Sequence, residues 1–203
     1  MKMKRDDGFT IVELLVAMAL SLVVMASIYS VYRAQQKSYV AQEQVTVMQQ
    51  NLRSGMTMLT KDIRMAGYDP DKTLGAGMTV NNNDQLAFTR LKEDETGGET
   101  ITYSLSGTDL VRAVDAGSPQ VVAENIDAID FVYLDASGVT TSSLTNVRSI
   151  QVSMVARTGK GDQGYVNSDS YQNQEGTEIL SAQNDNIRRR LLTREIKCRN
   201  LGL

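Results

Sequence analysis

One carboxylate stands where a carboxylate is costly. Glu13 lies near the start of an apolar run that opens at Phe9 and continues to about Tyr32, and from Leu14 to Ile28 only apolar, Ala or Ser side chains occur. An ionised side chain in a membrane-spanning helix costs at least a few kcal/mol, so an acid there needs a partner and is a functional candidate. No Ala-x-Ala-like cleavage site follows the run, which passes through Tyr29-Ser30-Val31-Tyr32-Arg33 into further helix-forming sequence, so the run is not removed as an ordinary signal peptide. If a piece is removed, it is the one in front. Cleavage after Gly8 would give Phe9 a free amino group one helical turn from Glu13, because residues four apart share a face.

Other chemistry finds few residues to work with. Histidine is absent from the 203 residues and there is one cysteine, Cys198. That excludes an internal disulfide and a His-based zinc site, and it removes the usual general base of hydrolases. Cys198 reads as a buried apolar filler, with an intermolecular or reactive role as the alternative. Two acidic groups, Asp69 with Asp71 and Asp84, and Glu93 with Asp94, Glu95 and Glu99, could offer oxygen ligands, but neither has the ligand spacing and fixed glycine of a calcium loop. Both read as solvated turns, so no metal and no cofactor is expected. No phosphate-binding loop, dinucleotide fingerprint or nucleophile elbow is present, and the chain is not expected to be an enzyme. A net charge of -3 makes nucleic acid an unlikely main partner.

The elements that position Glu13 follow from periodicity. The run of roughly 24 apolar residues is long enough to cross a bilayer core of about 30 Å. The leader carries Lys2, Lys4 and Arg5 against Asp6 and Asp7, and its small cationic excess marks the side expected to stay cytoplasmic. Beyond the run, Val45, Met48, Leu52, Met56, Leu59, Ile63 and Ala66 recur at spacings of three and four, which predicts one apolar stripe on an otherwise polar helix. The stripe is expected to pack on the chain's own sheet; a parallel coiled coil is the alternative. Gly55 within it weakens the helix by about 1 kcal/mol relative to alanine, and implies either close approach of another backbone or a slight bend. Gly67, followed by Pro70, ends the helix.

After Gly67 the period becomes alternating. Strands are expected at Leu86–Leu91, Ile101–Leu105, Leu110–Val114, Ile126–Leu134 and Val147–Ala156. Short connections such as Ser106-Gly107-Thr108-Asp109 make neighbouring strands antiparallel. One mostly antiparallel sheet packed on the helix stripe gives an α+β domain. Between Gly159 and Asn186 the chain is rich in Gly, Asn, Gln, Ser and Asp, and it is expected to be a mobile loop. A partner-contact surface is the alternative there, with Tyr165 and Tyr171 as its candidate residues.

The residues Gly8-Phe9-Thr10-Ile11-Val12-Glu13-Leu14-Leu15-Val16, behind a basic leader, resemble the processing site of type IV prepilins and of type II secretion pseudopilins. The segment from Leu59 to Tyr68 and the closing segment from Arg188 to Leu203 are similar to PilW-type minor pilins, relatives of the J-type pseudopilins. The resemblance implies a pilin fold, cleavage between Gly8 and Phe9 by a membrane prepilin peptidase, N-methylation of Phe9, and a Glu13 that neutralises that amine in its own or a neighbouring subunit. It divides the chain into a leader at 1–8, a transmembrane and filament-core half-helix at 9–32, an amphipathic half-helix at 33–67, and a β-rich domain at 68–203 with a polar loop near 159–186. The implied partners are other pilins and minor pilins, the prepilin peptidase and methylase, and the inner-membrane assembly platform. Before assembly the chain would cross the bacterial inner membrane once with its C-terminal domain periplasmic, and afterwards belong to the pilus, in a tip or initiating complex. A type II secretion pseudopilin and a single-span anchored sensor or binding protein are the alternatives.

Overall fold

The structure is a computed structural model that describes residues 8–92, 94 and 97–202. The expected leader, apart from Gly8, and the candidate acids Glu93 and Glu95 lie outside the described residues. Helix α1 runs from Ile11 to Met65. Residues up to Glu43 form one compact unit and Gln44–Leu203 a second.

In the first unit α1 has nothing to bury. Its apolar side chains, among them Leu14, Leu15, Leu20, Leu22, Val23, Met25 and Ile28, are each more than half exposed. Exposure on this scale is far above what a soluble surface carries and calls for a lipid or protein environment. Ser21 and Ser27 return their hydroxyls to the carbonyls of Ala17 and Val23 at 2.8 and 2.9 Å. Their polar groups are thus satisfied within the helix, as an apolar surrounding requires.

In the second unit the expected stripe is the buried face. Met48, Leu52, Met56, Leu59, Ile63 and Ala66 lie in the hydrophobic core. Gly55 shares that face for a steric reason: a Cβ placed on it would meet the Cβ of Ala123 at 3.1 Å and the side chains of Leu110 and Met154 at 3.5 Å. Close approach of the sheet is therefore its role. At the helix end Gly67 has φ +75, in the left-handed region that ends helices, and its N–H donates to the Thr89 carbonyl at 3.0 Å.

The β structure forms two main sheets instead of the one expected. Strands β1 (Met78–Asn81), β2 (Leu86–Leu91), β3 (Gly98–Ser106), β4 (Asp109–Val114) and β5 (Gln120–Ala123) make an antiparallel meander in chain order. Strands β6 (Ile126–Leu134) and β7 (Ser149–Arg157) pair with the late strand β10 (Arg189–Lys197) in the order β10-β7-β6. Ser106 and Asp109 are paired, so Gly107 and Thr108 form a two-residue turn. Gly107 supplies the positive φ of 63 that such a turn needs. The alternation along β7 is as the sequence implies, with Ile150, Val152 and Met154 wholly buried.

The polar segment near 159–186 is more structured than a bare loop. It contains a hairpin, β8 (Tyr171–Gln172) with β9 (Glu178–Leu180). Asn173, 7% exposed, donates to Asp130 on β6 at 3.0 Å and accepts the backbone N–H groups of Glu175 and Thr177 at 3.0 and 2.9 Å. Asn167, 1% exposed, donates to the Ile187 carbonyl and the Tyr171 hydroxyl, each at 3.1 Å. The segment is a strap across the outer face of the three-stranded sheet, which explains why Ala128, Val132 and Val155 on that face are buried too. Its amides replace the apolar residues that a covering segment would ordinarily supply.

Candidate assembly site

The start of α1 is built by two side chains. Thr10 stands at the N-cap, and its hydroxyl accepts the Glu13 N–H at 3.2 Å while Glu13 Oε2 accepts the Thr10 N–H at 2.9 Å. The Thr10 hydroxyl also donates to the same carboxylate oxygen at 2.9 Å. This is a reciprocal capping box, which satisfies two N–H groups that a helix start otherwise leaves open. The Thr10-x-x-Glu13 spacing is the sequence signal for this cap, beside the acid's need for a cation. Phe9 is 93% exposed and Gly8 is exposed beside it.

The box leaves Glu13 half engaged. Both contacts of its carboxylate end on Oε2, and Oε1 accepts no hydrogen bond among the described residues. The positive end of the helix dipole favours a carboxylate in this first turn. Glu13 thus stands in the first turn of α1, four residues after Phe9, with one carboxylate oxygen available.

A second constellation lies inside the other unit. Asp62 of α1, 2% exposed, accepts hydrogen bonds from Arg112 of β4 and from the Tyr103 hydroxyl of β3, both at 2.7 Å, and from Arg90 of β2 at 3.4 Å. Arg90 also donates to Glu99 at 2.7 Å. Two acids and two arginines balance. Burial first, then the neighbouring Asp62 carboxylate, push the Tyr103 hydroxyl far above its ordinary range. Burial disfavours a charged Arg112, but the bond to Asp62, the Asp62 charge and the Tyr103 hydroxyl together outweigh it and raise the guanidinium. No local pattern marks this network, since Asp62 reads as a polar position next to a stripe.

The remaining candidates hold structural posts. Asp69 accepts the N–H groups of Thr73 and Leu74 at 3.2 and 2.8 Å, which folds its own loop; Glu99 belongs to the Arg90 pair. The Tyr165 ring lies 4.2 Å beneath the Arg188 guanidinium, and the Tyr171 hydroxyl is bonded to Asn167. Cys198 is buried, which pushes its thiol up to about 12 against the opposing pull of Arg148.

Comparison with known proteins accords with this geometry. Residues 3–29 match the prokaryotic N-terminal methylation motif, and residues 98–200 match the family model of type IV pilus-assembly protein W. A type IV-like pilin from Thermus thermophilus has a similar fold, with a TM-score of 0.55 at 12% identity over 76% of this chain and 97% of the other. No curated protein sequence matches the chain. Pilins of these families are structural subunits that interact with other pilins and with the prepilin peptidase. Capped apolar helix, methylation motif and sheet domain together place the chain in the PilW family of type IV pilus-assembly proteins, as a minor pilin.

Proposed function

We propose that the chain is made as a prepilin that is cut between Gly8 and Phe9, methylated on the Phe9 amine, and drawn from the inner membrane into a pilus through its apolar helix. The observation that carries this reading is the half-engaged Glu13. Its Oε2 completes the capping box with Thr10, and its Oε1 is the acceptor for the Phe9 amine of the same or a neighbouring subunit. An unpaired acid buried among packed helices would be strongly unfavourable, whereas a matched pair is tolerated. Charge matching at this point fixes the axial register of the subunit. Before assembly the domain from 68 to 203 faces the periplasm, and the subunit acts in a tip or initiating complex. The segments 9–32 and 33–67 serve the filament core and the attachment of the sheet domain respectively.

Glu13→Val tests the reading. The variant should insert into the membrane in normal amount but be lost from sheared filaments and from co-purification with other minor pilins. Normal filament numbers and normal co-purification would refute the assigned role of Glu13.

A further inference from the structure

Strand β10 is an edge. Its register with β7 runs unbroken from Arg189↔Arg157 to Lys197↔Ser149, and its other side pairs with no strand among the described residues. Arginines collect along it. Arg190 and Arg194 stand opposite Ala156 and Val152, on the core-facing side of the sheet, yet both are exposed because they lie at its border. Arg199 follows, also exposed.

Helix α1 extends the same border. The Asn200 side chain donates to the Arg64 carbonyl at 3.1 Å, which brings the end of β10 beside the end of α1. Arg53 lies eleven residues before Arg64, about three turns along the same helix face. Both are exposed.

The division among arginines is sharp. In the unit Gln44–Leu203, Arg90, Arg112, Arg157, Arg188 and Arg189 are ion-paired within the chain, and Arg148 donates to two backbone carbonyls. The others, Arg53, Arg64, Arg190, Arg194 and Arg199, have no ion pair among the described residues; Arg190 and Arg194 lie on β10, Arg199 follows it, and Arg64 stands at the helix end that Asn200 reaches. A chain of net charge -3 therefore sets three uncommitted guanidiniums, those of Arg190, Arg194 and Arg199, on or just beyond one open strand edge.

Like charges facing one another are destabilising, so such an edge rejects a second copy of itself. It accepts a strand that brings carboxylates. We propose that the β10 edge docks an acidic edge strand of a different pilin subunit, adding it to the three-stranded sheet by backbone pairing, with Arg190 and Arg194 set against its acids. A row of open N–H and C=O groups suits a strand better than it suits nucleic acid. The proposal rests on the pilin assembly described above, since the partner is another subunit of the same filament.

The test uses the full chain in its own host, with the photocrosslinking residue p-benzoylphenylalanine in place of the exposed Glu195. Irradiation should join it to one acidic segment of another pilin subunit. Arg190→Glu with Arg194→Glu should lower the adduct at least tenfold while Cys198 stays shielded from alkylation, which certifies the fold. Exchanging the acids of the joined segment for lysines should restore it. Three results would overturn the proposal: an adduct unchanged by the double reversal, an adduct between two copies of this chain, or binding of a 20-base-pair DNA duplex that the reversal abolishes while the pilin adduct persists. Absence of any pilin adduct in a chain whose mature terminus is Phe9 sinks the docking edge and leaves the assembly reading standing.

Discussion

Arg112 on β4 donates to Asp62 on α1 at 2.7 Å inside the domain, with the Asp62 side chain 3% exposed. The bond fixes where along the five-stranded sheet the helix docks, because apolar packing alone is non-directional. A helix slipped by one residue would carry Asp62 away from Arg90, Arg112 and Tyr103 together and leave buried charges without partners.

Breaking the network from one side should therefore be costly. Asp62→Ala is expected to lose about 3–5 kcal/mol of stability, since it leaves the Arg112 guanidinium and the Tyr103 hydroxyl without their acceptor, while Arg90 keeps Glu99. Replacing Asp62, Arg90, Glu99 and Arg112 together by Leu, Met, Met and Met, with Tyr103→Phe, should recover much of that loss, because no member of the network is then left unpaired. Thermal unfolding of the full chain in detergent, followed by the circular dichroism of the sheet, measures both. A single variant as stable as the parent would show that the network fixes nothing.

Gly55 gives a second test of docking. Alanine there gains about 1 kcal/mol of helix propensity, but its Cβ would stand 3.1 Å from the Cβ of Ala123, so the two effects oppose each other. Gly55→Leu gains nearly the same helix propensity, but its larger side chain should prevent close packing of α1 on β4 and β5. Ala123→Gly in the Gly55→Ala background should raise the unfolding temperature above that of Gly55→Ala alone, although Ala123→Gly by itself lowers it. Additive effects of the two changes would contradict the contact.

The strand at Leu86–Leu91 and that at Ile126–Leu134 were legible in the sequence to the residue, because each is an apolar run bounded by turn residues. Strand β10 was not. Its Arg190, Arg194, Glu195 and Lys197 hide the alternation that marks a half-buried strand, and they do so because β10 is an edge whose charges discourage unwanted pairing. Strands β1 and β5 were too short to stand out. The strap from 159 to 186 looked like loop for a related reason. Its anchors are asparagines, whose burial depends on partners such as Asp130 that no local pattern reveals. At the helix start the signal is local and complete, since Thr10 and Glu13 stand at the spacing of a capping box.

Acid should loosen the strap's exit. Hydrogen bonds from Arg189 foremost, and then the Ile187 N–H, hold the Asp185 carboxyl down at about 2, below its usual range near 3.9. A group lowered in the folded state contributes stability above its unfolded value and loses it as pH falls toward the folded one. Stability should thus decline between about pH 4 and pH 2, with part of the decline absent in Asp185→Asn. Hydrogen exchange of residues 181–189 at pH 5 and pH 3 is the measurement, and equal protection in parent and variant at both values would contradict it.

The raised Cys198 thiol leads to a simple reactivity prediction. At pH 8 the folded chain should resist iodoacetamide, and labelling should begin only as the β domain unfolds, because the nucleophile is the thiolate and burial keeps it protonated. Labelling of the folded chain at the rate of a free thiol would show that Cys198 is open to solvent.

The central claim is that Glu13 serves a new amino terminus at Phe9, and the intact mass and terminal sequence of the chain taken from its host decide it. The account predicts a chain that begins at Phe9 and carries one N-methyl group. A chain that keeps Met1, or one cut after the apolar run near Tyr32, would contradict it.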